Sequence, residues 1–519
     1  MAILLSLPDE ILLRVAAVSQ ITGIDHPAIT ENYTHGTLHS LALTCKRLYP
    51  IAANTLYGAP CLAKVFSDDH KPCAHRLFLF IRTLLRQPCL AEHVRDLTFT
   101  TGYGFEEFRD AESWAEMLDQ GIKAIWDIGK VSDDWRQRVN DWVQRLEEAD
   151  DAAWGGLLIS ICPRLEALTM EILSTAGLDS DRNYGKRYAK GPLAKLFGSS
   201  EVLTEPDLSP IPGLQSLKIL TLYGHYLNWS WFGLPKLADV QVCRECALPI
   251  APSDSQPSQL KYLELECPTS IFNPRVPHES FRNLIEGLDP RAHPKLRKLQ
   301  LYFTNCWTRD ARWIDEHGVE VEGVEDVDIL QYCDQGRCAT LLQRISRVAK
   351  TLEELFLGLY WDFDADHLDY IAPVGTFAYF DKLKILCVPQ ELLLGRDYGL
   401  PGQVHRPLHA ARLLPHSLEE MMIMCPTLHV RTFLQELLDS KANFAAFKKL
   451  ELYTRSDRGD DYPVIRWDSH AIWQKLRDAG IEIEVTYREI DEKPEWLDRS
   501  WEDEAADNVL ELSDFLYFL

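Results

Sequence analysis

Apolar residues along this chain fall into a recurring six-residue rhythm, L-x-x-L-x-L, in which positions one, four and six are apolar and the residues between them are mostly polar. Ten such blocks follow one another: VRDLTF (94–99), LEALTM (165–170), LKILTL (217–222), LADVQV (237–242), LKYLEL (260–265), LRKLQL (296–301), LEELFL (352–357), LKILCV (383–388), LEEMMI (418–423) and FKKLEL (447–452). Positions four and six share a parity of two, so each block predicts a short strand with one buried face and the intervening side chains on the other. IEIEV (481–485) predicts a final strand of the same kind. Between blocks the period changes to that of amphipathic helices: 75–99 predicts a helix, a break at Pro88, a further turn and a strand, and 106–161 predicts Trp-rich helices whose indoles pack.

One such block means little, because helices also produce it, but ten in succession imply stacked strand-plus-helix units. Block starts are spaced from 20 residues (Leu217 to Leu237) to 71 (Val94 to Leu165), against roughly 20–29 for regular leucine-rich repeats. The expected fold is therefore α/β: an irregular leucine-rich-repeat-like solenoid over 93–488 with helical insertions near 106–161 and an acidic insertion near 309–335. An α/β sandwich containing a few such strands is the alternative parse. A helical module over 1–58 and a helical linker over 59–92 precede the array, and an acidic cap or tail, 489–519, follows it.

The N-terminal module has its own signature. In SLPDEILLRVAAV, Ser6 can cap a helix, Pro8 falls where a missing N–H costs nothing, and Asp9 and Glu10 favour the positive helix end. A long polar loop leads to a second apolar block, SLALTCKRLYPIA. The pair resembles the F-box, particularly its fungal versions, by which proteins dock on the Skp-type adaptor of cullin-RING (SCF) ubiquitin ligases. The resemblance covers about a tenth of the chain, and the segment over 75–99 is also similar to the region that follows the F-box in fungal leucine-rich members. Residue by residue it implies adaptor contacts at Leu7, Pro8, Ile11 and Leu12 in the first block and at Leu41, Leu43, Cys45, Lys46 and Leu48 in the second.

Charge narrows the partners. A net charge of −24 opposes approach to phosphate backbones and anionic lipid, so neither nucleic acid nor a membrane is expected as a partner. With 46% hydrophobic residues the chain has ample material for a core. Its 13 cysteines lack framework spacing and fit buried thiols in a reducing compartment, cytoplasmic, nuclear or both.

Catalytic motifs are missing: no G-x-S-x-G, Walker A, H-E-x-x-H or kinase set occurs, and no enzyme activity and no cofactor are expected. DFDADHLD (362–369) fails as a calcium loop, because His367 stands where glycine is needed. Cys243 and Cys246 with Cys333 and Cys338 are a weak zinc set, since their spacing departs from paired knuckles, and no metal is expected. The residues alternating with the buried leucines are the candidate target-binding face: Tyr223, Glu264 with Glu266, Lys298 with Tyr302, Phe356, and Glu451 with Tyr453. The expected function is that of a substrate-recognition subunit of an SCF-type ligase, holding an unknown target protein near a ubiquitin-charged enzyme. A leucine-rich scaffold whose degenerate F-box has lost the adaptor is the alternative.

Overall fold

All ten six-residue blocks become strands, and IEIEV becomes an eleventh. They are β2 (Asp96–Thr101), β3 (Ala167–Ile172), β4 (Ile219–Tyr223), β5 (Asp239–Cys243), β6 (Tyr262–Pro268), β7 (Lys298–Thr304), β10 (Glu354–Leu359), β11 (Ile385–Pro389), β12 (Glu420–Met424), β13 (Lys449–Arg455) and β14 (Glu482–Arg488). A short strand ahead of them, β1 (Cys61–Leu62), is not announced by any repeat, and it brings the strands of parallel sheet to twelve. Two further strands, β8 (Trp313–Ile314) and β9 (Glu320–Val321), form an antiparallel pair inside the acidic insertion.

The computed structural model describes chiefly residues 48–62, 74–101, 104–110, 112–130, 133–172, 196–198, 207–223, 227–243, 251–268, 287–304, 313–314, 320–321, 338–359, 373–395, 409–426, 430–455 and 471–488, with a few single positions that include Leu12, Lys46 and Leu193. The chain divides into two compact units, Met1–Gln241 with Arg499–Leu519, and Val242–Asp498. The fold is mixed α/β with parallel strands joined by helices and turns; within each unit the strands pair in chain order, β7 pairing with β10 past the separate β8–β9 pair.

In the first unit β1, β2, β3 and β4 pair in that order, all parallel. Leu97, Leu168 and Leu220 lie side by side, as do Phe99, Met170 and Leu222, and all six are buried. Helices Ala74–Arg86, Trp114–Gly129, Asp133–Glu147 and Asp151–Ile161 supply much of the rest of this core. The last starts where Asp150 accepts a hydrogen bond from the Ala152 N–H at 3.1 Å, a side-chain cap for an otherwise orphan donor. Residues 151–160 of this helix are all buried, so it can have no polar face.

Indole rings fix how this helix sits. Trp154 packs on Trp114 with centroids 5.5 Å apart, Trp114 on Phe78 at 6.2 Å, and Phe78 on Phe108 at 4.5 Å. From the Asp133–Glu147 helix, Trp142 donates its indole N–H to the Ala153 carbonyl at 2.9 Å and meets Phe197 edge-on at 5.5 Å. Trp135 donates to the Asp207 carbonyl at 3.0 Å. The polar tips of both rings are thereby satisfied, the condition for burying them. Trp126 is the exception to indole packing in this region, with 40% exposure.

In the second unit β6, β7 and β10–β14 follow in chain order, each pair parallel. One buried row reads Leu263, Leu299, Leu355, Leu386, Met421 and Leu450 in register, ending at the half-buried Ile483. Each such side chain contributes about 1.5–3 kcal/mol on burial, so this row alone outweighs any surface pairing in the unit. Helices Cys338–Ile345, Val430–Asp439 and Ala471–Asp478 each bury an apolar side and precede a strand. Among the described residues no helix is long and apolar enough to cross a membrane.

Candidate functional site

Because the strands of the second unit are paired without slippage, the fifth position of each block meets the fifth position of the next. The row reads Glu264, Gln300, Phe356, Cys387, Met422 and Glu451, continued by Glu484 on β14. These positions have the opposite parity to the buried leucines, so they form the other face of the sheet. Its middle is apolar: Phe356 and Met422 are half-buried and Cys387 is buried, while the carboxylates and the amide stand to either side.

The third positions, Tyr262, Lys298, Glu354, Ile385, Glu420 and Lys449, give this strip a margin that is charged at four of the six. Lys298 pairs with Glu354 at 3.4 Å and stands 5.1 Å from the centre of the Tyr262 ring. Lys449 pairs with Glu484 at 2.9 Å and with Glu451 at 3.8 Å, and its ammonium pKa is raised first by the Glu484 hydrogen bond. The Tyr262 hydroxyl lies against the Glu264 carboxylate and 2.5 Å from Gln300 Oε1.

On the other side of the strip Tyr302 is buried and packs on Phe356 with centroids 5.2 Å apart. Burial, then the Glu264 charge, pushes its phenol pKa well up, so it remains a protonated donor and reaches Gln300 Oε1 at 3.3 Å. Gly358 makes room for this pair: a Cβ there would lie 2.3 Å from the Phe356 ring and 2.8 Å from that of Tyr302. The two aromatics are thus held in one arrangement by the absence of a side chain.

Of the residues singled out in the sequence, Glu264, Lys298, Phe356, Glu451 and Tyr453 are partly accessible on this face. Glu266 and Tyr302 keep only 8% and 5% exposure and support the face from beneath rather than offering surface. Tyr223 belongs to the first unit, where it pairs in register with Glu171. The fifth positions of that unit are a row of threonines, Thr98, Thr169 and Thr221, and Thr221 donates to Gln241 Oε1 at 3.1 Å. Cys387, Met422 and Gln300 were not among the candidates drawn from the sequence, although the fifth-position rule applied to every block names all three.

No family model matches the chain, and no curated protein does. Of the N-terminal positions, Leu12 and Leu48 are buried and Lys46 is exposed, while Leu7, Pro8, Ile11, Leu41, Leu43 and Cys45 lie outside the described residues. The 362–369 loop, Cys246, Cys333 and the 489–519 tail also lie outside them, as does most of 309–335. Cys243 is half-buried and Cys338 fully buried, and burial raises the Cys338 thiol pKa. Among the described residues no three His, Cys, Asp or Glu side chains form a metal-ligand group.

A buried serine–histidine pair is a polar constellation that no sequence pattern signals. Ser258 Oγ is hydrogen-bonded to His293 Nδ1 at 2.8 Å and accepts the Leu260 N–H at 3.4 Å. His293 also hydrogen-bonds the Gly287 backbone. With 2% and 1% exposure the two residues are closed to any substrate, and they tie the turn before β6 to the turn before β7. Desolvation lowers the His293 pKa from 6.5 to about 4, so the neutral ring is the native form.

A pH dependence follows with a definite sign. The unfolded chain binds a proton near pH 6.5 that the folded chain refuses until about pH 4, so this stabilisation is complete above pH 6.5 and is lost as pH falls through that window. Between pH 7 and pH 4.5 the loss is on the order of 2 kcal/mol. Urea unfolding at both pH values should show that much less acid sensitivity in His293→Gln than in wild type; equal sensitivity would remove this group as the cause.

Proposed function

We propose that this chain is a target-recognition subunit of an SCF-type ubiquitin ligase, with the face centred on Phe356, Cys387 and Met422 in the second unit engaging the target. The observation that carries the protein-binding half is the in-register strip with an apolar middle and a charged margin, the anatomy of protein interfaces. Phe356 is held in place by Tyr302 and by the gap at Gly358, so it loses little rotamer freedom on docking. The ligase half is supported by the F-box-like blocks that contain Leu7 to Leu12 and Leu41 to Leu48.

The mechanism is positional. The N-terminal helices dock on the Skp-type adaptor in the cytoplasm or nucleus, and the strand units hold a target at high effective concentration beside an enzyme carried by another subunit. No bond chemistry is assigned to this chain. Pull-down of the adaptor with Leu7→Asp/Leu41→Asp should fall to background while the thermal unfolding of the second unit stays unchanged. Undiminished adaptor capture by the double variant, or no capture by the wild type, would defeat the proposal.

A further inference from the structure

The second position of each block stands at the start of its strand, and in every block but LADVQV, which has Ala238 there, it is a charged residue, exposed or half-buried, so that these residues make a ladder of charges. In the first unit Glu166 sits between Arg95 (3.2 Å) and Lys218 (2.5 Å). In the second, Glu353 sits between Arg297 (3.5 Å) and Lys384 (3.1 Å), and Glu419 pairs with Lys448 (2.9 Å). The order through β7, β10, β11, β12 and β13 is Arg297, Glu353, Lys384, Glu419, Lys448, with the sign alternating at every step. Parallel strands lie roughly 4.8 Å apart, so alternation lets every rung neutralise the next.

The alternation fails at one rung of this unit. Lys261 precedes β6, directly beside Arg297, whose N–H donates to the Lys261 carbonyl at 2.9 Å. Lys261 makes no ion pair among the described residues, and Arg297 has only the shared Glu353. At this spot the surface sinks into an open cavity of about 260 Å³ lined by Lys261, Pro294, Lys295, Arg297, Thr351, Glu353 and Lys382. The lining therefore holds four cationic residues and a single carboxylate, in a chain whose net charge is −24, with the Lys295 ammonium hydrogen-bonded to Gln259. Like charges side by side on neighbouring strands repel, and a bound anion would relieve what the ladder elsewhere relieves internally.

We propose that this notch binds an acidic segment of a partner protein, its carboxylates completing the broken rung between Lys261 and Arg297. The inference rests on the reading that the second unit binds a protein target and is independent of the adaptor. A peptide is favoured over nucleic acid because the cationic patch is local to the notch, whereas a polynucleotide would have to pass the −24 surface around it.

The test is fluorescence anisotropy on the full chain, with a labelled peptide of alternating glutamate and glycine. The probes beside it are the same peptide with glutamine for glutamate, and an oligothymidylate of equal charge. The acidic peptide should bind, the glutamine peptide and the oligothymidylate should not, and added salt should release it. Lys261→Ser/Lys382→Ser should weaken binding about tenfold or more, whereas Lys123→Ser in the first unit should leave it unchanged. Failure of the acidic peptide to outbind the glutamine peptide, full binding by the double variant, or equal binding of the oligothymidylate would overturn the proposal. Adaptor capture, measured separately on the same preparation, keeps a negative result here distinct from failure of the ligase reading.

Discussion

Trp142→Ala is expected to lower the unfolding free energy of the first unit by about 4 kcal/mol, within the range for removing a fully buried indole. The side chain has no exposure and packs on Phe197 and Trp135, so truncation leaves a cavity lined by rings that cannot collapse into it. The lost hydrogen bond to Ala153 adds less, because a helical carbonyl retains a backbone partner. Trp142→Phe should therefore recover most of the loss, leaving about 1–2 kcal/mol. Trp126→Ala, in the same helical region but 40% exposed, should fall within about 0.5 kcal/mol of wild type. Urea unfolding followed by circular dichroism separates the three, and a full-size loss in the phenylalanine variant would show that the hydrogen bond dominates.

Gly156→Ala sets two effects against each other. In a helix interior alanine is favoured over glycine by about 1 kcal/mol. At this position, however, the added Cβ would stand 1.8 Å from the Leu196 carbonyl oxygen and 2.6 Å from its carbon, both backbone atoms that no rotamer change can move. Relief requires shifting the Asp151–Ile161 helix away from the 196–198 segment, and overpacking on that scale costs about 3 kcal/mol or more. Packing wins, and the thermal midpoint of the first unit should drop by several degrees. Gly375→Ala is the matched control, since a Cβ there meets nothing within 4 Å and its φ is not positive. A neutral Gly156→Ala would mean that the helix has freedom its buried surroundings deny.

The strands were legible because period-two alternation is a local property that burial of one face imposes on each block separately. Leu263, Leu265 and Cys267 on one face with Tyr262, Glu264 and Glu266 on the other need nothing beyond their own segment to specify β6. β1 escaped notice because two residues cannot establish a period; it forms only because Thr98 and Phe99 offer a ready edge to Cys61 and Leu62. Ser258 and His293 escaped for a different reason. They are 35 residues apart, and their pairing depends on where two turns end up. The glycine contact with Leu196 and the apolar centre at Cys387 and Met422 are likewise properties of assembled strands and helices, although the register that produces the latter was already implicit in block alignment.

Pairing in chain order within each unit also separates two things that most sheets couple. The hydrogen-bond register of β3 on β2 and of β13 on β12 is unslipped whether 71 or 29 residues separate the block starts. Connecting segments can thus lengthen, shorten or be exchanged without any strand having to find a new partner. A lineage carrying this architecture is free to remodel what hangs between its rungs while inheriting the rungs intact.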